Sequence, residues 1–449
     1  MNDAARTQPP AAQVVAGVQR YSLANGLDVV LEERHGSPRV AVEVDYRVGS
    51  RDQPEGYGGL AHMTEHMMFA WARHHRDGGG AYLDSLGVSQ AVGETHGDVT
   101  RYGAVVASHF LERLLAFEAD RMGFLLSHVG EAQLEAQRLI VLREDSERGE
   151  YWSVPGMGKR IWQTLFPRGH PYFGAYEDPS DIATLSLNSV RWFHQQWYVP
   201  SNATLVIVGD FESSAVRAMV QRYFGGLARE PRPTRVSQAN LPRIPTIGDQ
   251  QVIETTRVAN DRLWVLFPTP RMFSEGDAEL DLAALALVGD EFAPLCARLL
   301  RDRVVDAVTA SQNSMELASL FTISALVRRN SSAEAVLAQI DRTLRESAEQ
   351  LTEEAVAVAR DRQIAALRSY HSTLAGRAFY LGLYARTFAG SPDLLERDVA
   401  RYRAASLGSV RRAIAQWLTR RSRVVAIARG THNSAALWRQ ARMRPENLW

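Results

Sequence analysis

The 449-residue sequence predicts an α+β protein made of two modules that share one succession of elements. Strand-like and helix-like stretches alternate along the chain, and each half ends with a helix followed by an apolar strand. A Pro- and Arg-rich stretch without periodicity separates the halves, which is typical of a linker. The predicted parts are a polar N-terminal tail at 1–18, a first module at 19–227, a linker at 228–245 and a second module at 246–449.

The composition excludes several classes of function. The 51 Lys and Arg residues balance the 51 Asp and Glu residues, so the chain has no net positive charge that would attract nucleic acid or an anionic membrane. The single cysteine, Cys296, lies in an apolar helical run and is predicted to be a buried structural thiol. No apolar stretch approaches the roughly 18 residues of a membrane span. Residues 1–18 show no hydrophobic leader, so we expect a cytoplasmic protein, or a periplasmic one if a signal peptide has been removed.

The first module begins with a hairpin signal. Asn25-Gly26 separates two short apolar runs, as a tight turn between antiparallel strands does. Valines alternate with polar residues over 40–48, which predicts a half-buried strand. A loop at 71–80 carries His74 and His75, which are adjacent in sequence, so they do not face one ion together and are interpreted as solvated. The other predicted elements are helices at 81–86, 109–123, 131–150, 161–166 and 187–198, and strands near 92, at 101–107 and at 203–208.

The second module repeats this order of elements, which is why we infer an internal duplication. Only the first module carries the histidine pair described next. The predicted strands are 251–258, 262–267, 305–310, 320–327 and 423–428, and the predicted helices are 280–288, 292–301, 332–347, 353–370, 374–388 and 407–418.

A histidine pair in the stretch GGLAHMTEHMMF, residues 58–69, is the candidate for chemistry. The stretch is predicted to be helical, so His62 and His66 lie four residues apart on one face, where two imidazoles can hold one metal ion. Glu65 lies beside that ligand line, where a carboxylate can take a proton from a metal-activated water. This is the HxxEH order, the reverse of the commoner HExxH. The competing interpretation is a solvated helix face.

A catalytic zinc site needs a third protein ligand and one open position. The acidic helix at 131–150 is the obvious source of that ligand. Glu144 is preferred because it follows the apolar run at 139–142, where the helix is expected to pack on the core. The alternative is that Glu144 is one more solvated acid. The candidates on this helix are Glu135, Glu144, Asp145, Glu147 and Glu150.

Several sequence blocks in a fixed order resemble a known family. They are GGLAHMTEHMMF (58–69), FEADRMGFLL (117–126), EAQRLIVLRED (135–145), FPRGHPY (166–172) and YVPSNATLVIVGD (198–210). The chain resembles the pitrilysin/insulinase family of inverted-motif zinc metallopeptidases. It is most similar to the short two-module subunit type of the mitochondrial processing peptidase and of bacterial heterodimeric peptidases. The first module carries this likeness densely, and the second carries it through element order.

The resemblance implies a fold, a cofactor and a role for each site residue. Each module is expected to hold a mostly antiparallel sheet covered by helices, and the chain to form one half of a clam-like chamber. The cofactor is expected to be Zn²⁺, with His62, His66 and Glu144 as ligands. Glu65 is expected to be the general base for peptide hydrolysis, passing a proton from water to the leaving amine. A non-catalytic scaffold or processing-enhancing subunit is the competing hypothesis, and the intact ligand set argues against it.

Three positions depart from the family's pattern. Gln137 stands where the family commonly places a glutamate that supports a ligand, seven residues before the third ligand. Val92 replaces an asparagine in the strand to which relatives add substrate backbone, while Gly93, Thr95, Asp98, Thr100 and Tyr102 fit the pattern.

The third departure lies in the second module. Relatives that act alone place an arginine there, and a tyrosine seven residues later, near the metal to stabilise the oxyanion. Arg301 fits the first position, but the tyrosine position is Val308. The resemblance therefore favours a heterodimer in which a paralogous chain supplies the Arg/Tyr pair, with a homodimer as the alternative.

Overall fold

The computed structural model describes residues 13–15, 17–70, 78–124, 129–147, 154–235, 246–256, 258, 260–388 and 394–430. The chain divides into two units. The first unit draws on Met1–Asp145, Gly174–Asn240 and Ala365–Val399. The second draws on Ser146–Phe173, Leu241–Ile364 and Ala400–Trp449. These units follow spatial proximity, whereas the predicted modules follow the chain, so the module boundaries stay a prediction.

The described residues form twelve strands and fifteen α-helices. The strands are β1 (Gln13–Val15), β2 (Val18–Ser22), β3 (Asp28–Glu33), β4 (Arg39–Tyr46), β5 (Ala91–Thr95), β6 (Thr100–Ala107), β7 (Ala203–Gly209), β8 (Gly248–Thr256), β9 (Arg262–Thr269), β10 (Val305–Asn313), β11 (Ser319–Val327) and β12 (Ser422–Gly430). The helices are α1 (Leu60–Ala70), α2 (Gly79–Ser85), α3 (Leu111–Phe124), α4 (Glu131–Glu147), α5 (Met157–Leu165), α6 (Pro179–Thr184), α7 (Leu187–Trp197), α8 (Ser213–Phe224), α9 (Asp277–Val288), α10 (Pro294–Leu299), α11 (Ala333–Gln350), α12 (Glu353–Ser372), α13 (Leu374–Thr387), α14 (Leu395–Ala404) and α15 (Leu407–Trp417).

The two sheets repeat one strand topology. The first runs β1-β2-β3-β7-β4-β6-β5 and the second runs β10-β11-β9-β12-β8. Read from β3 and from β8, both orders are the same, and in each the first pair is parallel and the rest are antiparallel. The fold class predicted from the sequence, two α+β modules with mostly antiparallel sheets covered by helices, is therefore confirmed.

The duplication extends to a helix start. Ser186 accepts a hydrogen bond from the backbone N–H of Ser189 at the start of α7, and Ser406 does the same with Ser409 at the start of α15. Each serine pair completes a capping box, which satisfies N–H groups that a helix start leaves unpaired. Each of these helices is followed by the apolar strand that takes part in the parallel pair of its sheet, β7 after α7 and β12 after α15.

One helix from each half of the chain contributes to the other half's unit. Helix α5 packs on β8 and β12 in the second unit, and α13 packs on β4 and β7 in the first. Both helices are the fifth in their half when counted from the first helix after the opening strands, α1 or α9. The exchange is therefore reciprocal.

The main core of the first unit positions the histidine helix. Along β4, Val40, Val42 and Val44 point into a large apolar cluster, to which α1 contributes Met63 and Met67. Alternation along the strand sends the intervening residues to the other face, which α13 covers. Helix α1 therefore lies with one side anchored in the core and the other available for polar residues.

The element predictions differ from the structure in a few places. The Asn25-Gly26 turn is confirmed, since β2 and β3 pair antiparallel and Gly26 has φ 92°. Helices α6, α8 and α14 were not predicted, and the helix predicted from 109 begins at Leu111. Cys296 is buried, as predicted. His74 and His75 lie outside the described residues. No helix in the described part of the chain is long and apolar enough to cross a membrane.

Candidate metal centre

Helix α1 presents both histidines of the motif on one side. Their ring centroids are 4.7 Å apart and the ring planes are nearly perpendicular, at 77°. Four residues span slightly more than one helical turn, so the two side chains are stacked along the helix. Met63 and Met67, on the adjoining side of α1, pack in the core and hold the helix against it. His62 is therefore buried and His66 is partly buried. The rings are therefore held in place by packing.

Helix α4 brings a carboxylate to this pair. Glu144 Oε2 lies 3.5 Å from His62 Nε2 and 3.3 Å from His66 Nε2, and the two Nε2 atoms are 3.1 Å apart. All three ligand atoms lie within 4.8 Å of one another, and among the described residues no other set of His, Cys, Asp or Glu does so. Two imidazole nitrogens and one carboxylate oxygen converging on one point form the donor set of a catalytic zinc site, with a position left for water.

The outward-facing nitrogen of each imidazole also has a partner. His62 Nδ1 lies 3.3 Å from Glu177 Oε2, and His66 Nδ1 lies 3.2 Å from Gln137 Oε1. A ligating histidine typically donates its second ring N–H to such an acceptor, which fixes the ring's orientation. The residues present therefore fit a metal ion held through both Nε2 atoms.

Glu65 lies next to the ligands and is buried. The Thr95 hydroxyl donates to its Oε2 over 3.1 Å, and the Tyr102 hydroxyl donates to its main-chain carbonyl over 3.3 Å. Burial raises the pKa of the Glu65 carboxyl above its usual value, against the opposing effect of the two histidines and the hydroxyl. A base whose pKa is shifted toward neutrality is better matched to proton transfer at ordinary pH.

Strand β5 passes close to Glu65 at Gly93. A Cβ atom at this position would lie 2.7 Å from Glu65 Oε1 and 3.0 Å from the Phe69 ring. Only glycine lets the strand approach so closely, so Gly93 fits its place in the family's pattern. The neighbouring Val92 and Glu94 alternate to the opposite face of the sheet, where Glu94 pairs with Arg101 at 2.7 Å.

The electrostatic potential around His62 is negative. Burial alone would disfavour the charged imidazolium, but the nearby carboxylates, Glu177 first, outweigh it and raise the pKa of His62 to about 10. The same potential that holds a proton attracts a divalent cation, and metal binding releases that proton.

The other predicted ligands and positions fall outside this cluster or the described side chains. Glu135 points to solvent and pairs with Arg138 at 2.9 Å. The side chains of Asp145 and Glu147 are not among those described, and Glu150 lies outside the described residues. Arg301 and Val308 belong to the second unit, Arg301 exposed beyond α10 and Val308 buried on β10.

One site residue was missed by the sequence reasoning. Glu177 lies far along the chain from His62, in an irregular segment just before the start of α6, so no helical or strand spacing connects them. Its only sequence signal is the adjacent Asp178-Pro179, a helix-start signal that fixes the local backbone without indicating a role for the preceding carboxylate.

Comparison with family models decides the family. The model described as insulinase, peptidase family M16, matches residues 28–160, and the model described as the peptidase M16 inactive domain matches residues 184–363. The chain belongs to peptidase family M16. The pitrilysin/insulinase resemblance is thereby confirmed. The four residues His62, Glu65, His66 and Glu144 lie within the match to the insulinase model, residues 28–160, and outside the match to the inactive-domain model.

The curated relatives of the chain include named zinc proteases. The zinc protease PqqE of Helicobacter pylori is 31% identical over 218 residues, which cover 46% of this chain and 47% of that protein. The chain thus spans about half the length of the curated relatives it matches.

Solved structures of proteases share the fold. A protease from Helicobacter pylori superposes with a TM-score of 0.80 at 21% identity, over 94% of this chain and all of that one. The periplasmic protease PqqL from Escherichia coli gives 0.66 at 15% identity, over 95% of this chain and 49% of that one. At these identities the likeness concerns the fold alone.

Proposed function

We propose that this M16 chain is a zinc-dependent endopeptidase that hydrolyses peptides or unfolded segments. The observation that carries the proposal is the convergence of His62 Nε2, His66 Nε2 and Glu144 Oε2 within 4.8 Å. A structural zinc site usually has four protein ligands, whereas this set has three and leaves a position for water. The names of the relatives support zinc as the metal.

The chain's residues have distinct chemical roles in this proposal. When bound, zinc supplies Lewis acidity, which lowers the pKa of a coordinated water and polarises a peptide carbonyl. Glu65 accepts the proton of the attacking water on Oε1, because its Oε2 is held by the Thr95 hydroxyl. It then delivers the proton to the leaving amine, so its burial next to the ligands keeps it within reach of both.

The base role is tested with Glu65→Gln. This variant keeps the shape of the side chain but cannot accept a proton, so we expect full zinc content and a loss of at least about 100-fold in hydrolysis of an internally quenched peptide. Zinc is measured by elemental analysis on the same sample. Turnover equal to the parent's in a zinc-replete variant would refute the role of Glu65.

The ligand role is tested on α4 with a matched pair of variants. Glu144→Gln is expected to lose zinc, whereas Glu135→Gln, on the same helix but pointing to solvent, is expected to retain it. If both variants keep one zinc per chain, the third ligand lies elsewhere.

A scaffold or processing-enhancing subunit is the alternative function. The two hypotheses are distinguished by measuring peptide hydrolysis by the chain alone, by the chain with its paralogue, and in the presence of a chelator. Chelator-sensitive hydrolysis supports the peptidase. Absence of hydrolysis under every condition supports the scaffold, and hydrolysis that resists chelators would defeat the zinc proposal.

A partner chain is part of the proposal. The position at which related chains carry a tyrosine is Val308, whose buried apolar side chain supplies no hydroxyl. We therefore expect a heterodimer, with a paralogous chain that supplies an arginine and a tyrosine, and a clam-like chamber formed by the two halves. A rise in kcat on adding the paralogue, lost when its tyrosine is changed to phenylalanine, tests this. Full activity of a homodimer would contradict it.

The compartment also stays a proposal. We expect a cytoplasmic protein, with the periplasm as the alternative, which is where the structural relative from Escherichia coli is described. Fractionation of cells that express the native gene distinguishes the two.

A further inference from the structure

The two imidazoles of the candidate metal centre have unlike partners. His62 Nδ1 meets a carboxylate, Glu177, while His66 Nδ1 meets a carboxamide, Gln137. Both acceptors can fix a ring, but only the carboxylate brings a full negative charge. A charged acceptor forms a stronger hydrogen bond and makes the imidazole a better donor to a metal.

Burial makes this difference effective. The side chains of His62 and Glu177 are only 5% and 12% exposed. Solvent therefore screens their interaction little, and water does not compete freely for Nδ1. Gln137 and His66 are partly buried as well, so the contrast between the two histidines is one of charge and not of access.

The segment that carries Glu177 is fixed to the start of α1 by Gln53. The Gln53 amide donates to the carbonyl oxygens of Gly174 and Tyr176, over 3.0 and 2.7 Å, and its own oxygen accepts from the Ala61 N–H over 3.3 Å. Gln53 itself is buried. One side chain thus ties the Glu177 segment, residues 174–182, to the residue next to His62.

The two glycines before α1 allow this close approach. A Cβ at Gly58 would lie 2.7 Å from the Tyr176 ring, and one at Gly59 would lie 2.5 Å from Ile182. Gly59 also has φ 95°, which disfavours any other residue. In addition, the Gly58 N–H donates to Asp181 over 3.1 Å. The backbone at the start of α1 therefore fits against the Glu177 segment.

We propose that Glu177 is a positioning residue for His62, holding its Nδ1 hydrogen and fixing the ring so that Nε2 faces Glu144. Its carboxylate makes His62 the stronger of the two histidine donors toward a metal ion. This inference rests on the proposed function for its zinc readout, but the contact itself involves only residues of this chain.

Three variants test the role by moving the charge. Glu177→Gln keeps the shape and removes the charge, Gln137→Glu places a charge on His66 instead, and the double variant does both. Glu230→Gln is the control, because Glu230 is an exposed carboxylate far along the chain from the motif. Circular dichroism and thermal unfolding establish that each variant is folded.

Zinc affinity is measured by chelator competition on the full chain. We expect Glu177→Gln to weaken zinc binding about 10- to 100-fold, Gln137→Glu to tighten it, and the double variant to recover most of the loss. Glu230→Gln should bind zinc as the parent does. An affinity of folded Glu177→Gln within about twofold of the parent's would overturn the inference.

A second readout does not need zinc. In metal-free protein with labelled histidine, NMR couplings report the His62 rotamer, which should be single in the parent and averaged in Glu177→Gln. If the parent binds no zinc yet His62 loses its rotamer in the variant, the zinc peptidase proposal fails and the positioning role stands. If the parent binds zinc and Glu177→Gln changes neither readout, the proposed function stands and the positioning role fails.

Discussion

Thr95 donates its hydroxyl hydrogen to Glu65 Oε2 over 3.1 Å, and so connects strand β5 to the helix that carries the histidine pair. The strand that lies beside the site therefore also orients its base. The Thr100 hydroxyl lies 3.4 Å from that of Thr95 and donates to the Val48 carbonyl, which anchors the contact to the core of the first unit.

Replacing Thr95 with valine should lower kcat with little change in KM. A hydrogen bond to a charged group contributes about 1.5–3 kcal/mol, so its loss from Glu65 predicts a decrease of about tenfold or more. Thr95→Ser keeps the hydroxyl and is expected to stay within about threefold of the parent. Steady-state kinetics at matched zinc content measure both. A valine variant with the parent's kcat would show that Glu65 needs no such anchor.

An alanine at Gly93 should disturb Glu65 without removing the metal. Its Cβ would lie 2.7 Å from Glu65 Oε1, so either β5 or the carboxylate must shift. We expect at least about tenfold lower kcat with zinc retained, because a misplaced base loses much of its contribution. Gly80→Ala, in α2 with open space around it, serves as the control and should be neutral. Equal activity of the two variants would contradict this expectation.

The ion pair between Arg386 and Asp45 should contribute strongly to the stability of the first unit. It joins α13 to β4, and the two side chains are 6% and 0% exposed. Arg386→Met leaves a buried carboxylate without its cation, which predicts a loss of about 3–5 kcal/mol in the free energy of unfolding.

The control for this prediction is Arg368→Met. Arg368 pairs with Glu396 in solvent, where an ion pair is worth about 1 kcal/mol or less. Denaturant unfolding of both variants gives the comparison. Similar losses from the two would mean that the buried pair has no special weight.

His194 should make the fold less stable at mildly acidic pH. It is buried beside Tyr198, and burial lowers the pKa of its imidazole to about 4. The unfolded chain, with an ordinary histidine pKa near 6.5, binds the proton more readily than the folded chain does. The contribution of neutral His194 to the free energy of unfolding is therefore fully present above pH 6.5 and is lost as the pH falls toward 4.

The measurement compares the parent with His194→Phe, which keeps an aromatic ring against Tyr198. Between pH 7 and pH 5 the parent should lose about 2 kcal/mol more free energy of unfolding than the variant. Parallel pH profiles for the two proteins would show that His194 does not remain neutral in the folded state.

The sequence predicted that His62, His66 and Glu144 lie together because the information for this cluster is local or is carried by the family blocks. His62 and His66 are one helical turn apart, and the resemblance supplied Glu144. The packing expected of the helix before Glu144 is found only in part. Within the apolar run before it, Val141 is fully buried, but Leu139 and Ile140 are 64% and 43% exposed, so α4 turns only one side to the core.

The features that the sequence did not predict depend on contacts between distant segments. Glu177 reaches His62 because Gln53, Gly58 and Gly59 bring the start of α1 against residues 174–182. No periodic pattern in the sequence indicates that these two segments are in contact. The packing of α13 on β4 was not predicted for the same reason. Arg386 of α13 and Asp45 of β4 form a buried ion pair, but in the sequence each is indistinguishable from an ordinary charged surface residue. Repeated element order predicted the duplicated topology, but not the exchange of α5 and α13.

That exchange means the linker is not a place where the protein can be divided. A cut within residues 228–245 separates the two sheets in the chain, yet each fragment keeps the helix that covers the other's sheet and lacks the one that covers its own. In each fragment alone, one apolar face of the sheet would be exposed to solvent. In the N-terminal fragment this face includes Val30, Val206 and Val208. Although the chain is a duplication, its halves are not independent folding domains, because loss of the second half would remove α13, the helix that covers the sheet on which the histidine helix packs.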